Sequence, residues 1–153
     1  MRKLAFILSA LALTACGFSP VYGAGATSSN IVIEDIPGRS GHELRKALIQ
    51  ELAAGLPGVD SASLNVDLEE KLARIALRAD AAAARTDIRA TGKYVLVLND
   101  TTISGRVRTE TSYNVPEEPY GDIAAQVDAS KRAMRKLAGA IVDDIRIQLT
   151  ADQ

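Results

Sequence analysis

Hydrophobic and polar positions recur with two different periods along this chain, and each period predicts an element. The run NIVIEDI, residues 30 to 36, is short and β-branched and predicts a strand, closed by Pro37-Gly38. Ser40 and Glu43 have the spacing of a capping box. Leu44, Ala47, Leu48 and Leu52 then repeat at helical spacing, and Gly55 with Pro57 closes the helix.

Residues 62 to 85 fit both periods. Leu64, Val66 and Leu68 alternate with Asn65, Asp67 and Glu69, as in a half-buried strand. Leu68, Leu72, Ile75 and Ala79 also fit a helix, and Ala81 to Ala84 have high helix propensity. The pattern alone leaves both readings open for 70 to 84. A strand, then a turn at Asp80, Ala81, Ala82, Ala83 and Ala84, is preferred because the strands that follow need a partner.

Those strands are plainer. Ile88, Ala90, Tyr94, Leu96 and Leu98 share one face, with Arg89, Thr91, Lys93, Val95 and Val97 on the other. NDTT, residues 99 to 102, predicts the turn. Ile103, Val107, Thr109, Thr111 and Tyr113 then oppose Arg106, Arg108 and Glu110, which makes an antiparallel hairpin of about 40–46 Å. After PEEPYG, Ile123, Val127, Met134, Leu137, Ile141, Ile145 and Leu149 line a helix of about 29 residues, or about 43 Å. Helix and hairpin match in length. The expected fold is α+β: a two-layer sandwich, two helices on one face of a four-stranded mixed sheet, in the order β-α-β-β-β-α over residues 30–150.

The first 29 residues follow different rules. Arg2 and Lys3 precede an apolar run from Leu4 to Leu13, the layout of an export signal and too short to span a bilayer. Leu13-Thr14-Ala15-Cys16 has the form of a lipobox, in which Cys16 accepts a diacylglyceryl thioether and signal residues 1–15 are removed. Cys16 is the chain's one cysteine, so it has no intramolecular disulfide partner. Multiple acylation there would anchor the protein firmly. Residues 16–29, rich in Gly, Ser and Ala, read as the lipidated N-terminus and tether. Gly17 is not the aspartate that commonly retains lipoproteins in the inner membrane, which favours the outer one.

Removing the leader takes two of 18 basic side chains and none of 19 acidic ones, so the mature charge is −3. With neither basic excess nor tryptophan, nucleic acid is not an expected partner.

In its order of landmarks the chain resembles the alphaproteobacterial form of the LPS-assembly lipoprotein family, LptE. The landmarks are CGFSPVYG after the lipobox, the LNVDLEE strand, the hairpin from TGKYVLVLND to RTETSYNV, and EPYGDIAAQ leading into the terminal helix. The resemblance implies a lipid-anchored protein on the periplasmic side of the outer membrane. Its partner would be the large β-barrel LPS-assembly protein, LptD, whose lumen it plugs and whose assembly it assists. It also implies possible contact with lipopolysaccharide and no catalysis.

Two cation sets are candidate contacts for lipopolysaccharide or for the barrel. Lys131 with Arg135, and Arg132 with Lys136, stand at i,i+4 spacing; the plainer reading is a solvated face balanced by Asp128, Asp143 and Asp144. Arg106 and Arg108 share a strand face with Arg89 and Lys93, either as an anionic contact or as an exposed face paired with Glu110. The turn from Asp80 to Ala84 is a candidate barrel contact or an ordinary hairpin turn. Catalytic chemistry finds no support: His42 is the sole histidine, and adjacent carboxylates at 69–70 and 117–118 diverge on a strand. No metal ligand set or cofactor motif is present, and none is expected. A lipid-anchored accessory subunit of another envelope transporter is the competing function.

Overall fold

The computed structural model describes residues 30–77, 83–99, 101–116 and 118–151. The leader, Cys16 and the tether lie outside them. The elements are β1 (Asn30–Ile33), α1 (Gly38–Glu51), β2 (Ser61–Leu77), β3 (Ala83–Val97), β4 (Thr102–Asn114) and α2 (Pro119–Ala151). They form the expected α+β arrangement, with a mixed sheet in the order β1-β2-β3-β4. β1 pairs parallel to β2, from Asn30 opposite Ser61 to Ile33 opposite Leu64. Such a pair requires a crossover, which α1 supplies. The other pairs are antiparallel.

Burial follows the two periods. Leu44, Ala47 and Leu48 of α1, and Leu52 in the 3₁₀ turn after it, meet Leu64 and Val66 of β2 and Ile88, Ala90, Tyr94 and Leu96 of β3 in one core. α2 contributes Met134, Leu137, Ile141, Val142 and Ile145, with Ala129, Ala133 and Ala138. Small side chains let the helix backbone approach the sheet. Ile123, expected on the apolar line, is 63 % exposed, because the core ends before the first turns of α2.

Residues 70 to 77 resolve as strand. β2 pairs with β3 from Ser63 opposite Val97 to Leu77 opposite Ala83, with register shifts at Arg74–Leu77. Its inner face is buried at Leu64 and Val66, half-buried at Leu68 and 48 % exposed at Leu72. α1 begins level with Glu70, so the strand beyond has no helix of its own above it.

Three expected boundaries move. α1 starts at Gly38, with Pro37 as N-cap and no side-chain cap, so Ser40 and Glu43 make no capping box. The hydroxyl of Ser40 is engaged across layers instead. Ile36 lies over the first turn, and a Cβ at Gly41 would strike its carbonyl. α2 starts at Pro119, inside the stretch expected to precede it; proline's fixed φ and missing N–H suit a first helical position. The turn after β3 is tighter than NDTT: Leu98 N donates to Thr101 O at 2.8 Å, and Thr102 already pairs with Val97.

Candidate functional site: an interaction surface

Among the described residues, both helices cover one face of the sheet and no element covers the other. Register sets the open face in rows: Lys71–Arg89–Glu110, Glu69–Thr91–Arg108 and Asp67–Lys93–Arg106. Two ion pairs lie along rows, Arg89–Glu110 at 3.1 Å and Lys93–Asp67 at 3.7 Å, and a third, Lys71–Glu69 at 2.6 Å, joins neighbouring rows. All are exposed, so each contributes little to stability. Lys71 holds the Glu69 carboxyl below its usual range through a hydrogen bond and its charge. Arg106 and Arg108 are left without an ion pair among the described residues. They are exposed on β4, and Arg108 lines a shallow depression with Glu69, Lys71, Arg89 and Thr91. Sequence reading placed these two arginines on one polar face, and the structure agrees.

At the far end of this face Asp87 accepts from the Ser112 hydroxyl at 2.5 Å, and Ser112 accepts from Arg85 at 3.0 Å. The Ser112 bond is the main cause that holds the Asp87 carboxyl below its ordinary value, with Arg85 and Arg89 adding to it.

The four cations of α2 do not form one patch. Lys131 lines a small cleft with Arg39, Ser40, Glu43 and Glu70, whereas Arg135 stands beside Glu43, Lys46 and Gln50 of α1. Arg132 pairs with Asp128 at 2.5 Å, and Lys136 donates to the Glu110 backbone carbonyl at 3.0 Å. Helical spacing grouped them correctly in pairs, but the two pairs look in different directions. Ala83 and Ala84 belong to β3 rather than to a turn; Asp80, Ala81 and Ala82 lie outside the described residues.

Two polar clusters escaped the sequence reading. Glu70 takes a hydrogen bond from Ser40 at 2.5 Å and another from Ser130 at 2.7 Å, joining both helices to β2. Tyr94 donates to Asp144 at 2.5 Å, and Gln148 donates to both, at 2.8 and 3.2 Å. Burial, then Asp144, drives the Tyr94 hydroxyl far above its ordinary pKa. Each cluster joins residues 30 or more positions apart, so no local motif announces it.

The cleft beside Lys131 holds about 110 Å³ and the depression beside Arg108 about 210 Å³. Both fall below the roughly 300 Å³ at which small-molecule sites begin. Among the described residues no group of three metal-ligating side chains converges, and no helix is long and apolar enough to cross a membrane.

No protein-family model and no curated protein sequence matches the chain. Solved structures do. A candidate lipoprotein from Caulobacter crescentus CB15 superposes with a TM-score of 0.60 at 26 % identity, over 82 % of this chain and 93 % of the other. Rare lipoprotein B from Shewanella oneidensis gives 0.59 at 11 % identity, over 81 % and 98 %. A minor lipoprotein from Acinetobacter baumannii gives 0.61 at 15 %, over 79 % and 92 %. The last two identities establish a shared fold alone.

Proposed function

We propose that this chain is an outer-membrane lipoprotein, held on the periplasmic face by acylated Cys16, that acts by binding. Its partner is the β-barrel LPS-assembly protein, LptD, which it plugs and helps to assemble, so that lipopolysaccharide reaches the outer leaflet. The observation that carries the reading is the sandwich shared, at 26 % identity, with the Caulobacter candidate lipoprotein across nearly all of that chain. The lipobox and the order of landmarks in the sequence support the same reading.

Geometry supports it too. The described chain begins at Asn30, whose N–H donates to Asp60 O beside the start of β2. β2 then runs 17 residues away, about 53 Å at ~3.3 Å per step. An anchor at the N-terminal end leaves the β2–β3 end free to project from the membrane into a lumen. The contacts available there and along the open face are Arg106 and Arg108, with Lys131, Arg132, Arg135 and Lys136 on α2 as further positions for lipopolysaccharide or barrel.

Depleting the protein in its own cells tests the function. The expected outcome is loss of surface lipopolysaccharide together with misassembled barrel. Normal lipopolysaccharide export in depleted cells would overturn the reading.

A further inference from the structure

Among the described residues β4 is an edge strand, with no strand paired on its outer side. The Leu98 N to Thr101 O bond sets which residues face inward. In an antiparallel ladder the bonded pairs alternate, so Thr101, Ile103 and each odd residue to Tyr113 bond toward β3. The backbone groups of the even residues, Thr102 to Asn114, therefore face outward. Lys136 confirms the alternation by reaching the carbonyl of Glu110. Among the described residues, it is the one side chain donating a hydrogen bond to this edge.

Natural edges are blunted by prolines, bulges, short length, charged side chains or a covering element. Arg106, Arg108 and Glu110 put charge on β4, which restricts the strand that can add there and leaves the ladder itself regular. β4 has 13 residues, no proline, and a register with β3 that runs from Thr102 to Asn114 without a shift. The opposite side of the sheet differs. There β1 covers β2 over residues 61–64, and register shifts disturb β2 at Arg74–Leu77. Among the described residues β4 offers the longer regular ladder, against the stretch of β2 over residues 65–73.

Its two faces specify the segment that fits. On the open face Arg106 and Arg108 flank the edge, and an added strand would set its side chains about 5 Å from theirs. On the helix face Gly105, Val107 and Thr111 are half-buried, so the core thins before it reaches the edge. We propose that β4 is a strand-acceptor site for an extended polypeptide whose residues alternate between carboxylate and apolar side chains. Carboxylates meet Arg106 and Arg108, apolar residues extend the core beside Val107, and backbone bonds to the even residues supply register. The assignment goes beyond the barrel reading and does not depend on it.

The test uses the full acylated chain in detergent and a labelled synthetic peptide of alternating Glu and Val, with two versions N-methylated on either the Glu or the Val amides. Antiparallel addition points the Glu amides at β4, and parallel addition points the Val amides there. The expected result is binding that one methylated version loses and the other keeps, weakened about tenfold or more by Arg106→Glu with Arg108→Glu. Circular dichroism on that variant guards against misfolding. Absence of binding by the parent peptide overturns the proposal, as does indifference to the double reversal. Binding kept by both methylated versions also overturns it, because the arginines would then serve an anion such as a phosphate headgroup without strand pairing.

Discussion

The Tyr94 hydroxyl donates to the Asp144 carboxylate at 2.5 Å, fixing the C-terminal third of β3 to the C-terminal third of α2. Gly105, opposite Tyr94 on β4, makes the contact possible: a Cβ there would lie 2.6 Å from the tyrosine oxygen and 2.7 Å from the aspartate. The long helix is thus keyed to the sheet at a polar point, as it is again where Ser130 meets Glu70.

Gly105→Ala is expected to destabilise the domain by about 1–3 kcal/mol, the usual cost of forcing an extra methyl into a packed site. Denaturant unfolding reads it directly. An unchanged midpoint would mean that the Tyr94–Asp144 key is not tight.

Tyr94→Phe removes the hydroxyl that donates to Asp144 and accepts from Gln148, leaving Asp144 with Gln148, at a cost of about 1–2 kcal/mol. A pH signature accompanies it. The folded-state pKa of Tyr94 is raised above its ordinary 10.0, so its contribution is complete below pH 10 and is lost as pH rises toward the folded value. Stability of the native protein should fall above pH 10 more steeply than that of Tyr94→Phe. Parallel alkaline curves would contradict this.

Asp87 works at the other limit. Its folded pKa lies below the ordinary 3.8, chiefly through Ser112, so its contribution is present above pH 3.8 and disappears as pH falls through the folded value. Ser112→Ala should be less stable than the native protein at neutral pH, with the difference closing below pH 3.8. Acid titration of unfolding for both proteins checks the convergence.

Ser40→Ala and Ser130→Ala each remove one hydrogen bond to Glu70, and each is expected to cost about 1 kcal/mol. Both bonds end on one carboxylate, so the double variant should depart from additivity by about 0.5 kcal/mol or more. Additive costs would indicate that the two helices are held independently.

Thr109 gives a prediction of opposite sign. Its hydroxyl is buried on β4 with no hydrogen-bond partner, alone in this among the described side chains. Thr109→Val keeps the shape and removes the unpaired group, so it should stabilise by about 1 kcal/mol. A lower melting temperature would refute that.

The fold was legible in the sequence wherever a face is buried along its length. Leu44, Ala47, Leu48 and Leu52 announced α1, and the alternation from Ile88 to Leu98 announced β3, because a continuous core selects residues at one period. Legibility failed where burial stops. Leu72 and Ile75 are about half exposed beyond the start of α1, so nothing there imposed a period of two over a helical one. Ile123 failed for the same reason at the start of α2. The surface was legible as composition and not as geometry: Arg106 and Arg108 were found together, but only cross-strand register leaves them without ion pairs. The Ser40 hydroxyl fits a cap by spacing and a bridge to Glu70 by tertiary packing. Packing wins, since the N-cap falls three residues earlier, at Pro37.

The central claim is that this protein works as the plug and assembly partner of a β-barrel. Affinity purification of the tagged full-length chain from detergent-solubilised outer membranes, with co-purifying chains identified by mass, tests it most directly. The expected result is one large β-barrel protein in near-equimolar amount. Recovery of the chain alone, or with subunits of an inner-membrane transporter, would contradict it and make the chain an accessory of a different envelope machine.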